Sequence, residues 1–276
     1  MKFASPQPFL EALNAQTVRS LLPTSMSSAQ LAEIPARILE RARFSAKVRN
    51  LEHLALIEDV STQVTEGSLD IATARLRVKQ FVASTGYQAD ESIRGGLQDF
   101  LSTARTELQV RMNVQLAQGA GWHQQGQDPD ILDAFPALEF IRVESREEPR
   151  GTWPKSWNRA RAETITDGAT DSSTGRMIAL KGHPIWARLS RFGLPYEPFD
   201  FGSGYGTEDV RRADAMALGL LDLDTVIVPD DRGFNADLQA SPAVRSARLR
   251  EAVEATGIGR FDAEGVLHYV EPEGGV

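Results

Sequence analysis

The sequence contains no cysteine. Disulfide bonds and thiolate metal sites are therefore excluded. Histidine is also scarce: the chain has four, and no two of them have the i, i+4 spacing of a helical zinc motif. On these grounds we expect no resident metal ion and no cofactor.

A long apolar run is also missing. No segment approaches the roughly 18 apolar residues that a membrane-spanning helix requires. The first residues, MKFASPQPFLEALNAQ, carry one lysine and are interrupted by Pro6 and Pro8, so they lack the continuous apolar core of a signal peptide. The sequence therefore predicts a soluble protein that is made in the cytoplasm and has no membrane partner.

Basic residues are also fewer than acidic ones, and the net charge is −8. It is unevenly spread: residues 1–50 hold seven basic and three acidic residues, whereas the last 26 residues hold one arginine and six acids. A dedicated nucleic-acid binder normally shows a basic domain or stripe. Here only the N-terminal segment could make a weak DNA contact. The other interpretation is that Arg37, Arg41 and Arg43 lie on the solvated face of a helix.

What the sequence does contain at its start is helical periodicity. Apolar residues recur at helical spacing from Leu51 to Val64, and Gly67 ends that run. Asp70 is suited to cap a second helix, and a longer one is predicted from Leu97 to about Gln118. We therefore predict a helical region over residues 1–120.

Farther along the chain the pattern changes to strands and loops. Ala137–Val143 and Arg176–Leu180 are apolar and suited to strands. Between them, residues 151–175 are rich in Gly, Thr, Ser and Asp, which predicts a mobile surface loop. Thr207, followed by two acidic residues, predicts the start of a helix.

The C-terminal part combines one strand, one helix and a hairpin. The segment TVIV at 225–228 predicts a strand, Ser241 opens a helix that extends to about Ala255, and FDAEGVLHYV is typical of a hairpin. The expected fold is α+β: a helical N-terminal region (1–120), a compact α+β domain (121–220) and a helix-and-hairpin extension (221–276).

The most informative stretch lies between Phe135 and Gly206. It begins FPALEFIRVESREEPR and, after a polar gap, continues GRMIALKGHPIWARLSRFGLPYEPFDFGSGYG. The order of features is a short apolar run, an acidic Pro-Arg segment, a His-Pro-Ile-Trp turn and an aromatic-Pro-Gly loop. This order resembles the Mu F-like minor head proteins of tailed phages, also called head-morphogenesis proteins. The helix segment RMNVQLAQGAGWHQQ, with Asn113, Gln115, Ala117 and Gly121, is similar to another motif of that family.

The resemblance implies a compact α+β minor-head domain and a structural role in the virion. It implies a location in the phage head after synthesis in the host cytoplasm. It also implies binding to the portal protein, the major capsid protein or both during procapsid assembly, without bond chemistry. An influence on DNA packaging or ejection is left open.

The chain departs from the family at the aromatic-Pro-Gly loop. Many members carry a cysteine there and a histidine after the acidic segment, which suggests a metal-stabilised or otherwise tied structure. In this chain FDFGSGYG occupies the loop, so no metal site is carried over. We expect packing of Tyr196, Phe199, Phe201 and Tyr205 to hold the loop instead. The residues of the family pattern expected to be structural are Pro149, Trp186, Phe199, Phe201 and Gly204.

The acidic segment ESREEPR, residues 144–150, supports two interpretations. Its three carboxylates could serve acid/base or two-metal chemistry. With His183 they would suit a metal-dependent hydrolase or toxin. The arginines in the same segment neutralise them, which favours an ion-pair cluster that orders a turn. The carboxylates are those of Glu144, Glu147 and Glu148, and the arginines are Arg146 and Arg150.

Three tryptophans, Trp153, Trp157 and Trp186, lie near the prolines of this region. They form either a small satellite core or a partner-binding surface, because tryptophan and arginine are favoured interface anchors. On the second interpretation the contact residues are Trp153, Trp157, Arg146 and Arg150. Trp186, which has Ile185 and Leu189 at helical spacing beside it, is expected to be a buried structural anchor.

The histidines are expected to have ordinary structural roles. His183 precedes a proline and is predicted to be a hydrogen-bonded turn residue, and His123 follows Trp122 at a helix end. His53 and His268 are expected on solvated faces.

Overall fold

A computed structural model describes residues 9–17, 19–21, 24, 42–43, 45, 47–145, 151–165, 167–230, 239–240, 247–255, 259–263 and 267–269. The chain divides into two compact units. Unit 1 consists of residues 1–121 and 234–276, and unit 2 consists of residues 122–233. The predicted α+β fold is confirmed, with helices preceding a small antiparallel sheet.

The elements of the described residues are numbered here in chain order. The α-helices are α1 (Leu10–Thr17), α2 (Leu51–Glu66), α3 (Ile71–Ser84), α4 (Thr103–Gln125), α5 (Pro129–Ala134), α6 (Trp153–Ala162), α7 (Ile185–Leu189), α8 (Arg212–Ala217) and α9 (Ala247–Glu254). The strands are β1 (Ser20–Leu21), β2 (Ala42–Arg43), β3 (Ala137–Arg142), β4 (Ile178–Leu180), β5 (Tyr205–Val210), β6 (Gln239–Ala240), β7 (Gly259–Phe261) and β8 (Leu267–Tyr269).

The helices α2 and α3 form where the sequence predicts them, and both have side-chain caps. Asn50 Oδ1 accepts a hydrogen bond from the amide of His53 at the start of α2, and Asp70 Oδ1 accepts one from the amide of Thr73 at the start of α3. Both helices bury their apolar stripes against α4. The resulting aliphatic core consists of Ile57, Val60, Ala74, Val78, Val110 and Val114.

The helix α4 begins later than its apolar periodicity indicates. The carboxylate of Asp99 accepts hydrogen bonds from the amides of Gly95 and Leu101, which holds residues 95–101 in turns. Ser102 Oγ then accepts a hydrogen bond from the amide of Arg105 and caps the helix. The predicted start at Leu97 is therefore wrong by six residues, because these side-chain bonds satisfy the backbone outside a helix.

The helix α1 packs closely on α4 at Gly121. A Cβ atom at Gly121 would lie 2.8 Å from the backbone nitrogen of Ala12 and 2.7 Å from Cζ of Phe9. No side chain fits there, so this glycine of the family-like helix motif serves close helix packing.

The C-terminal part of unit 1 contains a small sheet of order β6-β8-β7. The strands β7 and β8 pair antiparallel, with Phe261 opposite Leu267, which confirms the predicted hairpin. The helix α9 lies within the predicted C-terminal helix, whose first residues (241–246) lie outside the described residues.

Unit 2 is built on an antiparallel sheet of order β4-β3-β5. Ala137 on the central strand pairs with Leu180 on one side and Val210 on the other. Successive residues of a strand point to opposite faces. Phe140 and Ala179 lie on the face that α6 and α7 cover, and Ala137, Ile178 and Val210 lie on the face that α8 covers.

Three predictions in this region are wrong. Residues 153–162 form α6 and do not belong to a loop, because Trp153, Trp157 and Ala160 present one apolar face. Thr207 lies within β5, which pairs with β3 over six residues, and α8 begins only at Arg212. The segment 225–228 belongs to no sheet of the described residues.

Within the described ranges, no helix is both long enough and apolar enough to span a bilayer.

Candidate functional site

The family-like motifs come together in the aromatic core of unit 2. Phe140 of β3 contacts the ring of Phe199 from the aromatic-Pro-Gly loop, with ring centroids 5.2 Å apart. Trp186, from the His-Pro-Ile-Trp turn, packs on Phe199 at 5.9 Å and on Trp157 at 5.5 Å. These separations are typical of stabilising aromatic pairs. Residues far apart in the sequence thus build one core.

Two indole N–H groups of this core donate hydrogen bonds to backbone carbonyls. Trp157 Nε1 donates a hydrogen bond to the carbonyl of Thr170 at 2.7 Å, and Trp186 Nε1 donates to the carbonyl of Leu180 at 2.8 Å. Thr170 lies in the segment that runs beside β4, where Ala169 pairs with Ala179. Each tryptophan therefore fills the core and also holds a connecting segment in place.

Glu197 fastens the aromatic-Pro-Gly loop to β5. Its carboxylate accepts hydrogen bonds from the amide and the hydroxyl of Thr207, the latter at 3.0 Å. Burial raises the pKa of Glu197, and the bonds from Thr207 oppose that shift. A Cβ atom at Gly206 would lie 2.6 Å from Oε1 of Glu197. The absence of a side chain at Gly206 is what admits the carboxylate.

A groove of about 430 Å³ lies between α6 and the segment formed by α7 and the turn after it. Its floor includes Ala160, Leu189 and Phe199, all of which are buried. Three arginines lie along it, and we refer to it as the arginine groove. They are Arg159, Arg188 and Arg191.

The three arginines differ in their partners. Arg188 Nε donates to Oε2 of Glu163 at 2.5 Å, and Arg191 Nη1 lies 3.6 Å from Oδ1 of Asp200. The guanidinium of Arg159 is exposed and makes no hydrogen bond or ion pair with another described residue. A guanidinium offers donors in a planar fork that matches a carboxylate. Arg159 is therefore available for an acidic group of a partner.

The structure corrects the interpretation of Trp153 and Trp157 as surface anchors. Their exposed fractions are 6% and 0%, and both side chains belong to the aromatic core. Buried rings cannot contact a partner directly, so the satellite-core alternative is the one observed. The other two residues of that predicted surface, Arg146 and Arg150, lie outside the described residues, as does Pro149.

The remaining motif residues have distinct places. Trp186 and Phe199 are each 0% exposed, so Trp186 is a buried anchor, as the sequence predicts. Phe201, by contrast, is exposed and contacts Phe192 edge to face, with ring centroids 5.0 Å apart. Gly204 is buried, has a φ of 66°, and its carbonyl accepts the amides of residues 143 and 144.

The two described residues of the hydrolase alternative lie far apart. Glu144 follows the end of β3, whereas His183 follows β4 at Leu180, which is opposite Ala137 at the start of β3. At about 3.3 Å per strand residue, this register places them roughly 20 Å apart. Glu147 and Glu148 lie outside the described residues. The structure therefore does not bring Glu144 and His183 into one site.

The histidines take structural places. Nδ1 of His183 accepts the amide of Ile185 at 3.0 Å, which confirms the predicted turn role. Burial lowers the pKa of His183. His268 is exposed and bonds to Asp262 at 2.8 Å. The prediction for His53 is wrong, because its side chain is buried beside Phe81.

In the parts of the chain that the structure describes, no three His, Asp or Glu side chains are grouped so that they could hold a metal ion. Comparison with protein-family models, curated proteins and solved structures finds no match.

The arginine groove was missed by sequence reasoning. The available signal was the spacing of Trp153, Trp157 and Ala160, which defines a buried helix face and places Arg159 at its edge. The composition of the flanking TITDGATDSSTG segment obscured that pattern.

Proposed function

We propose that this chain is a minor head protein of a tailed phage that binds the portal protein, the major capsid protein or both during procapsid assembly. The observation that carries the proposal is the convergence of the ordered motifs on one core. Phe140, Trp186 and Phe199 come from three successive motifs and pack together. Their burial supports the fold-stabilising role that the resemblance implies for Trp186 and Phe199.

Binding requires accessible groups, and unit 2 offers them in the arginine groove. The guanidinium of Arg159, which has no partner among the described residues, stands beside an apolar floor, which suits an acidic side chain flanked by apolar ones. Arg188 and Arg191 are held at the rim by Glu163 and Asp200. We propose this groove as the contact site for an acidic segment of the portal or capsid protein, and a location in the phage head follows from that role.

The basic N-terminal segment is proposed to make at most a weak DNA contact. Its arginines at 37 and 41 lie outside the described residues. The acidic net charge argues against DNA as the main ligand. An influence on packaging or ejection would act through the head proteins to which this chain binds.

The proposal is tested by co-expressing the full chain with the portal and major capsid proteins encoded in the same phage genome. We expect the chain to sediment with procapsids and to be detected in purified heads by mass spectrometry. A chain that is absent from heads and binds neither protein would show that the proposed function is wrong.

Two variants on α6 test the groove. Arg159→Ala should weaken portal or capsid binding about tenfold, because it removes a charged anchor. Lys155→Ala is the matched control, since Lys155 is exposed on the same helix but does not line the groove. Equal affinities of the two variants would assign the contact to another surface, even if the chain is a head protein.

A further inference from the structure

The segment 223–228 carries an unusual concentration of exposed apolar side chains. Leu223, Val226 and Val228 are 73%, 82% and 79% exposed, and these are the three most exposed large apolar side chains of the described residues. Single apolar residues on a surface are ordinary, whereas a group of them marks an interaction site. Their position within six consecutive residues therefore requires an explanation.

The side chains of residues 225–228 follow the exposure pattern of a strand. Residues 225–230 contain no helix, turn or bend. Exposure alternates, with Val226 and Val228 exposed and Thr225 and Ile227 half-buried, which is the period-two pattern of a strand. Nevertheless the segment pairs with no strand among the described residues.

Both ends of the segment are fixed. Arg212 Nη1 donates a hydrogen bond to the carbonyl of Thr225 at 3.1 Å, and the amide of Asp230 donates to Oε1 of Gln127 at 2.8 Å. Between these points, residues 226–228 make no hydrogen bond to the described part of the chain. A segment with strand-like alternation of its side chains and with unpaired backbone groups is a template for strand addition.

The acidic residues that flank the segment determine which kind of strand can pair with it. Asp222 and Asp224 precede the apolar run, and Asp230 follows it. Antiparallel pairing of two copies about Ile227 would set Asp224 of each copy opposite Asp230 of the other. Like charges directly opposite each other are destabilising, so a second copy is disfavoured and a strand with basic flanks is favoured.

We infer that residues 225–230 form a docking strand, to which an extended apolar segment of another protein, flanked by lysine or arginine, adds as a β-strand. Backbone hydrogen bonds would supply the pairing, and the alternate side chains Val226 and Val228 would supply apolar contact. The inference does not depend on the proposed function, because it rests on this segment alone.

The test is amide hydrogen exchange of the full chain with the synthetic peptide KRTVTVTKR at millimolar concentration. We expect exchange at residues 226–228 to slow about tenfold, since pairing protects strand amides. The peptide DETVTVTDE should give no protection. Unchanged exchange with the basic peptide, or equal protection by the acidic one, would overturn the inference.

Charge reversal sharpens the test. Asp222→Lys combined with Asp224→Lys should invert the preference, so that the acidic peptide protects and the basic one does not. Asp90→Lys combined with Glu91→Lys is the matched control, because both residues are exposed in unit 1. Circular dichroism establishes that each variant folds. A preference that does not change in the first variant would contradict the assignment.

The occupant is tested separately by sedimentation. We expect the oligomeric state of the chain in solution to be unaffected by substitutions at residues 226 and 228. A dimer that Val226→Thr with Val228→Thr dissociates, and that Ile165→Thr at another exposed apolar position does not, would identify a second copy as the occupant and overturn the assignment to another protein.

Discussion

The two units fill their cores with different side chains. The core of unit 1 is aliphatic, with residues such as Ile57, Val78 and Val110 packed between regular helices. The main core of unit 2 is aromatic, and Trp157, Trp186 and Phe199 pack between short elements and loops. The backbone groups of unit 1 already form hydrogen bonds within its helices, so aliphatic side chains need only fill the space between them. The indoles of Trp157 and Trp186 also bond to the backbone, so side chains there help to determine the course of the chain.

This difference can be measured because the tryptophans report on one unit alone. The chain has four, at 122, 153, 157 and 186, and all of them lie in unit 2. Tryptophan fluorescence during urea unfolding therefore follows unit 2. Circular dichroism at the helix band follows chiefly the long helices α2, α3 and α4.

The largest expected effect is that of Trp186→Ala. It removes a fully buried ring and the hydrogen bond to the carbonyl of Leu180. We expect the free energy of unfolding of unit 2 to fall by about 3–5 kcal/mol. Fluorescence-detected urea unfolding measures this change, since a variant in which one tryptophan is replaced keeps the other three in unit 2.

Trp122→Ala is the matched control, because Trp122 is 53% exposed in the same unit. It should cost about 1 kcal/mol or less. If the two variants lose the same free energy of unfolding, burial of Trp186 in the aromatic core does not determine the stability of unit 2. Unchanged melting of Trp186→Ala together with lost partner binding would make Trp186 an interface residue instead.

An intermediate effect is expected from acidification of unit 1. Burial, and secondarily the positive charge of Arg105, lowers the pKa of His53 to about 4. The folded pKa lies below the unfolded value of about 6.5, so the folded state favours the neutral ring. The stabilisation is complete above pH about 6.5 and is lost as the pH falls toward 4, by at most about 3 kcal/mol.

Helix circular dichroism during urea unfolding at several pH values measures this loss. His53→Gln removes the titrating group and should flatten the dependence between pH about 6.5 and 4. The same slope in the variant and in the parent chain would show that another group governs the acid sensitivity of unit 1.

The smallest effect is expected at the cap of α2. Asn50→Ala removes the acceptor for the amide of His53 and should cost about 1 kcal/mol. Asn50→Asp keeps an oxygen acceptor and should preserve most of the stability. A loss in Asn50→Asp as large as that in Asn50→Ala would show that capping is not what fixes the start of this helix.

The same contrast explains what the sequence could and could not predict. In unit 1, the residues that start and end α2 and α3 act on their own neighbours, so periodicity and caps predict both helices. In unit 2, Thr207 and the acids after it favour a helix locally, yet they form β5 because Ala137–Arg142 supplies six pairing positions. A partner strand distant in the sequence overrides a local preference.

The candidate sites follow the same rule. The turn role of His183 depends on adjacent residues and was predictable. The burial of Trp186 was predicted from the apolar residues beside it, although the rings that cover it, Trp157 and Phe199, lie elsewhere in the sequence. The arginine groove depends on α6 meeting α7, and no local pattern joins Arg159 to Arg188. The apolar segment 225–228 has the composition of a strand, but pairing requires a neighbour that the described chain does not provide.

The central position of β3 sets the order of events during synthesis. The strand ends at Arg142, but its longer partner begins only at Tyr205. Pairing must wait until the ribosome has made both segments and the chain between them has closed into a loop. Folding through such distant contacts is slow. Nascent unit 2 therefore exposes Leu138 and Phe140 for longer than the chain exposes the apolar faces of α2 and α3, and this interval is when chaperones or premature aggregation would act on it.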